Sequence, residues 1–162
     1  MNISDAAGDT PALTPRQLLS FRLGAETFGI DILRVREIRG WTAVTKIPQS
    51  PPEVLGVLNL RGTVVPIVDL RRLFRHERAD YDAMTVIIVL SIDSPSGRRE
   101  VGVVVDGVSE VVDVDKGGVR PAPDLRSCAA SEFVAGLLPT GDRMVILLDA
   151  DRLLGARLAA AA

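Results

Sequence analysis

Apolar and polar residues alternate along much of this chain. Leu19, Phe21 and Leu23 are spaced by Ser20 and Arg22, and Phe28, Ile30 and Ile32 by Gly29 and Asp31. A period of two puts alternate side chains on one face, so both segments are predicted to be half-buried strands. Gly24-Ala25-Glu26 forms the turn between them. An extended stretch follows over 35–47, until Pro48, Pro51 and Pro52 interrupt regular structure. Two apolar runs, 54–60 and 63–68, meet at Arg61-Gly62, which is a hairpin signal because Gly readily takes positive φ. Asp69 then precedes Leu-Arg-Arg-Leu and is predicted to cap a short helical turn. The pattern restarts with strands over 86–92 and 101–105 around a turn at 94–97. Asp106-Gly107 is predicted to be a bend or bulge. A strand–turn–strand unit over 137–148 leads to Asp149, which opens another capped turn ending near Leu158. Residues 1–15 are predicted to be a disordered leader and 159–162 a frayed tail.

The second half echoes the first. Gly56, Leu58, Ile67, Asp69 and Leu73 recur as Gly136, Leu138, Leu147, Asp149 and Leu153, all 80 residues later. Gly29, Val35, Glu37 and Ile38 recur as Gly102, Val108, Glu110 and Val111, 73 residues later, so an insertion of seven lies between Val112 and Phe133. Two similar halves of about five short strands predict an all-β fold of two small barrels. The domain is placed at 16–158, with lobes of roughly 16–80 and 81–158. A half of ~70 residues has a marginal core alone, so the lobes are expected to interlock and share strands. A residue present in both halves serves the shared scaffold more readily than a site. Asp69 and Asp149 therefore read as twin caps and not as a catalytic dyad, which would need a following Thr/Ser-Gly loop. Gly56 and Gly136 read as points of close backbone approach. The halves differ most at the hairpin tip, where Asn59-Leu60-Arg61-Gly62 faces Pro139-Thr140-Gly141-Asp142. Leu60 is taken as exposed there, beside an Arg of the kind that anchors interfaces.

Composition narrows the chemistry. The 30 Val and Ile residues favour strands, and no apolar run approaches the ~18 residues that span a bilayer. One Cys excludes an internal disulfide and fits a reducing compartment. The single His, His76, lies in a charged run that reads as a solvated face, and one Cys with one His is thin supply for zinc. No nucleophile elbow or phosphate loop is present, so no catalytic, metal or cofactor site is expected. A net charge of −2 and few aromatics disfavour a nucleic-acid groove.

Several stretches together resemble the CheW family of bacterial chemotaxis coupling proteins. They are Phe28-Gly29-Ile30-Asp31-Ile32-Leu33, Val35 with Glu37-Ile38-Arg39-Gly40, and Asn59-Leu60-Arg61-Gly62-Thr63-Val64-Val65-Pro66-Ile67-Val68-Asp69-Leu70-Arg71. Val103-Val104-Val105-Asp106-Gly107-Val108-Ser109, Arg120-Pro121-Ala122-Pro123 and Gly141-Asp142-Arg143-Met144 match in the same order. The resemblance runs from about Leu18 to Leu154. It implies two five-stranded SH3-like barrels and a cytoplasmic, non-enzymatic adaptor. Its implied partners are the regulatory domain of a CheA-type histidine kinase and the helical-hairpin tips of chemoreceptors, with no membrane insertion of its own. Such an adaptor sits at the inner face of the membrane through the receptor array. The resemblance also implies residue roles. Arg61 leads as receptor contact, with Asn59, Leu60 and Gly62 of its hairpin and with Glu37, Val86, Val108 and Val111. Val35 and Gly56 match positions tied to kinase binding, and their twins Val108 and Gly136 leave a scaffold role open beside that one. Coupling in a twitching-motility or other chemosensory pathway, or a small nucleic-acid-binding barrel, are the alternative readings.

Overall fold

A computed structural model of the chain describes residues 15–76, 80–114, 118–121 and 133–161. Most of the leader and of the seven-residue insertion, and Cys128, lie outside the described residues. The strands are β1 (Gln17–Leu23), β2 (Glu26–Asp31), β3 (Val35–Gly40), β4 (Val54–Leu60), β5 (Thr63–Asp69), β6 (Val86–Ser94), β7 (Gly97–Val105), β8 (Gly107–Asp113), β9 (Val134–Thr140) and β10 (Arg143–Leu148). A short helix, α1 (Leu70–Leu73), follows β5, and a longer one, α2 (Ala150–Ala161), follows β10. The expected frayed end at 159–161 continues α2, in keeping with the high helix propensity of Ala. No helix among the described residues is long and apolar enough to cross a membrane.

The strands form two five-stranded sheets, sheet I in the order β9-β10-β2-β1-β8 and sheet II in the order β3-β6-β7-β5-β4. Each sheet takes a hairpin from one sequence half and three strands from the other. The β1–β2 hairpin joins β8, β9 and β10, and the β6–β7 hairpin joins β3, β4 and β5. In each sheet the halves meet through one antiparallel pair, β1 with β8 and β3 with β6, and one parallel pair, with Leu147 opposite Gly29 in sheet I and Ile67 opposite Gly102 in sheet II. These residues are twins at offsets of 80 and 73, so the sequence repeat is a pseudo-two-fold of the fold. The sheets therefore divide the chain differently from the two halves: 35–105 builds sheet II, and both ends of the chain build sheet I.

This exchange explains the run of apolar residues in β6. Alternating residues have both faces covered, as in a strand buried on two sides. Ile88, Leu90 and Ile92 join a core shared by both sheets, with Phe21, Leu23, Phe28, Val103, Leu148 and Leu153. Ile87 and Val89 face a smaller core within sheet II, with Leu60, Val65, Ile67 and Val104. Leu18, Leu138, Val145 and Leu147 form the matching small core of sheet I.

The twin features have local causes. Asp69 accepts from the amide of Arg71 at 3.0 Å, and Asp149 from that of Arg152 at 3.1 Å, so both cap the helix that follows. Gly56 and Gly136 sit at matching β-bulges. A Cβ on Gly56 would overlap the backbone carbonyl of Thr45, and one on Gly136 would overlap Val119 and the carbonyl of Arg120. Space is needed there because the segment after β3 pairs with β4 through Thr45 and Val57. The segment after β8 pairs with β9 through Arg120 and Leu137. His76 is half-buried rather than fully solvated: its ring packs over the turn at Gly24, where a Cβ would lie 3.0 Å from the imidazole.

Candidate partner-binding site

The β4–β5 tip is a two-residue turn with φ of 54° at Arg61 and 86° at Gly62. Positive φ at both central residues gives the twist that a hairpin needs. Asn59 holds the turn, since its side-chain oxygen accepts from the Gly62 amide at 2.9 Å. An L-residue in the left-handed region costs about 1 kcal/mol, and Arg61 occupies it where the twin tip has Gly141, with φ of 62°. The Arg61 side chain is nonetheless 80% exposed, and its guanidinium ion-pairs with Glu37 on β3. Glu37 also lies 3.6 Å from Arg39.

This pair spans the open seam between β3 and β4, the two edge strands of sheet II. The seam is a depression of about 220 Å³ with Val35, Glu37, Leu60, Arg61, Thr63 and Glu100 in its lining. Its lining is mostly polar, with Arg36, Glu37, Arg61, Thr63 and Glu100 around Val35 and Leu60. In sheet I the twin of Glu37 is Glu110 and the twin of Arg61 is Gly141, so the arginine of the pair is missing. Glu110 is instead fixed by its backbone, whose carbonyl accepts from the buried Ser20 hydroxyl at 2.8 Å while its amide donates to that oxygen at 3.1 Å.

Val35, Glu37, Leu60 and Arg61 thus meet, with Asn59 and Gly62 shaping the same tip. Leu60 corrects the expectation of an exposed tip residue. It is 8% exposed and belongs to the small core of sheet II, because it shares the inward face of β4. Val35, Val86 and Val108 are half-buried against the shared core. Val111 lies on β8, the edge of sheet I, and is 49% exposed. Gly56 is buried beneath the Thr45 backbone and offers no side chain to a partner.

Sequence reasoning missed a buried polar cluster. The Arg71 side chain is 2% exposed and the Asp69 carboxylate fully buried. Arg71 Nε and Nη2 donate to the two oxygens of Asp69 at 3.0 and 3.1 Å. Its Nη1 donates to Asp106 Oδ1 at 3.0 Å and to the Asp80 carbonyl at 2.6 Å. The guanidinium lies 4.9 Å from the centre of the Tyr81 ring, and Trp41 stacks on Tyr81 at 4.2 Å. Tyr81 donates its hydroxyl proton to Asp69 at 2.8 Å. Burial opposes the charge on Arg71, but the hydrogen bonds and charges of Asp69 and Asp106 outweigh it and hold its pKa above the ordinary value. Burial raises the Tyr81 pKa, reinforced by the bond to Asp69 and its charge, against smaller opposing effects of Arg72 and Arg71. Arg71 looks like a solvated turn residue in sequence. The signal that could have found it is a charge exchange between the halves: Arg71 has the twin Asp151, and Asp106 aligns beside Arg34.

Known proteins resemble the chain over nearly all of its length. The model of the CheW-like domain matches residues 17–158. "Chemotaxis protein CheW" of Klebsiella aerogenes is 46% identical, over 94% of this chain and 87% of its own. The protein of the same name from Rhizobium meliloti is 41% identical, over 84% of this chain and 85% of its own. The crystal structure of the scaffolding protein TtCheW from Thermoanaerobacter tengcongensis superposes with a TM-score of 0.76 at 31% identity, covering 86% of this chain and 87% of that one. With the two five-stranded sheets and the motif-bearing hairpin in place, these matches establish that the chain belongs to the CheW family.

Proposed function

We propose that the chain is a non-enzymatic scaffold of a chemotaxis array, coupling the cytoplasmic tips of chemoreceptors to a CheA-type histidine kinase. It works in the cytoplasm and reaches the inner face of the membrane only through its receptors. The single observation that carries this reading is Arg61, an exposed arginine kept on a positive-φ turn at an energetic cost and aimed by Glu37 over the β3–β4 seam. Gln49 and Arg75 share the positive φ, so what marks Arg61 is its exposed side chain, ion-paired with Glu37 over the seam. A helical hairpin presents one face with apolar residues a turn apart and polar groups beside them. A shallow, mostly polar seam with Arg61, Glu37 and Arg36 around a small apolar contact at Val35 suits the polar groups of such a face and one of its apolar residues.

Within this reading Arg61 is the main receptor contact, and Asn59 and Gly62 act by shaping its turn. Leu60 and Glu37 complete the seam. Val111, the most exposed of the three remaining valines, touches the receptor directly, whereas Val86 and Val108 act from the lip of the shared core. Val35 and Gly56 bear on kinase binding through the β3 edge and through the 45–57 pairing. Reversible coupling suits micromolar affinity, about −8 kcal/mol. Loss of an arginine anchor at ~2 kcal/mol weakens such a complex roughly 30-fold.

The test is a pull-down from native lysate with tagged wild type and tagged Arg61→Glu, read by mass spectrometry. Wild type should retain a CheA-like kinase and chemoreceptors, and the variant should keep the kinase, lose the receptors and unfold like wild type. Retention of neither class by wild type, or of both by the variant, overturns the reading.

A further inference from the structure

The chain passes from sheet II to sheet I through one residue, Asp106, which lies between Val105 of β7 and Gly107 of β8. Its carboxylate holds both sides of the passage. Oδ1 accepts from Arg71 Nη1 of α1 at 3.0 Å, and Oδ2 accepts from the Gly24 amide in the β1–β2 turn of sheet I at 2.6 Å. Its amide donates to the Arg22 carbonyl at 3.0 Å. Arg71 is held in turn by both oxygens of Asp69, so Asp106 is fixed to a buried and rigid point. Two side chains flank this passage. Val86 pairs with Val105 across β6 and β7. Val108 lies two residues beyond Asp106 and pairs with Phe21. They come from different sheets, and both pack half-buried against the shared core.

We propose that Asp106 is a positioning residue: by serving Arg71 and Gly24 at once, it fixes Val86 and Val108 in one relation and so sets the lip of the shared core from which these two side chains act on receptor coupling. The proposal deepens the receptor-coupling reading and rests on it. The chemistry makes a specific demand on the residue. The donors, one on α1 and one in the β1–β2 turn, reach separate oxygens, and a carboxylate offers both. An asparagine offers one oxygen and an NH₂ group that repels a donor, so one of the two links is lost.

The experiment compares wild type, Asp106→Asn and Asp106→Glu by amide hydrogen exchange and by affinity for a purified receptor cytoplasmic fragment. In Asp106→Asn, the Gly24 amide and the amides of 107–109 should exchange about tenfold faster, while those of 87–90 and 101–104 keep their protection. Affinity for the fragment should fall several-fold, and Asp106→Glu, which retains both acceptors, should recover part of each loss. Uniformly faster exchange throughout the chain means that Asp106 only contributes to stability, and overturns the proposal. Unchanged exchange at Gly24 and 107–109 also overturns it, as does local loosening with unchanged affinity. If Asp106→Asn does not fold, Asp106→Glu against wild type carries the same two readings. A wild type that binds no fragment defeats the receptor reading instead, and the exchange pattern then decides the link by itself.

Discussion

The two passages between the sheets are built from the same parts with the charges exchanged. At one, Asp106 stands at the crossing and pairs with Arg71 on the helix after β5. At the other, Arg34 stands at the crossing and pairs with Asp151 on the helix after β10, at 2.7 Å. Each acidic partner also accepts a backbone amide from the neighbouring hairpin, Gly24 in one case and Asp93 in the other. They differ in burial. Arg71 is 2% exposed and is wrapped by Asp69, Tyr81 and the Asp80 carbonyl, whereas Arg34 and Asp151 are 28% and 30% exposed. The repeat has thus kept the geometry of a junction while placing a costly buried charge on one side alone. Removing one member of a buried set strands the other without water, whereas an exposed pair yields to solvent.

The largest expected effect follows from that difference. Arg71→Met should destabilise the protein by about 3–5 kcal/mol by leaving Asp69 buried without its fork, while Arg34→Met should cost no more than about 1 kcal/mol. Denaturant unfolding of the two variants measures both, and equal costs would break the comparison. The twin bulges come next. Gly56→Ala combines a φ of 150° with close overlap onto Thr45 backbone, whereas Gly136→Ala has no positive φ and meets chiefly a valine side chain that can turn, with a looser overlap onto the Arg120 carbonyl. The first should cost about 1–3 kcal/mol and the second less, by the same assay. A reversed order would mean that the 45–57 pairing yields more easily than its 120–137 twin.

Smaller effects sharpen the contrast. The chain has one tyrosine, so tyrosinate absorbance follows Tyr81 alone. The denatured chain should titrate at about 10, and the folded midpoint should lie above it. The sign follows from linkage. A raised folded pKa means that the stability due to the Tyr81 proton is complete below about pH 10 and is lost as pH rises through the folded value. A folded midpoint at or below the denatured one would show that the bond to Asp69 does not form. The smallest effect on stability is expected at the tips. Arg61→Gly gives the first tip the residue of the second and relieves the left-handed strain, so stability should stay within about 0.5 kcal/mol of wild type or rise. Receptor binding should nonetheless fall, as is expected of Arg61→Glu.

Much of the fold was legible because its signals are local. Period-two alternation gave the strands, Arg61-Gly62 gave the hairpin, and Asp69 and Asp149 gave the caps. The offsets of 80 and 73 gave the repeat, and their unequal size already pointed to an insertion. The strand exchange was harder to see, since it depends on long-range parallel pairs such as Leu147 with Gly29. The tip was half legible. Arg61 stands out against Gly141, but the turn beside Leu60 masks the alternation of β4, which turns that side chain inward. Arg71 was hidden because its partners Asp106 and Tyr81 are distant in sequence and a basic turn usually meets water.

The central claim is that a receptor docks on the β3–β4 seam of sheet II. It is tested most directly by titrating a purified receptor cytoplasmic fragment into isotope-labelled protein and following the backbone amide resonances. The account predicts that the largest shifts fall on 35–39 and 59–63, with smaller ones at 86 and 108–111. Shifts confined to β9 and β10 of sheet I, with 35–39 and 59–63 unmoved, would contradict it.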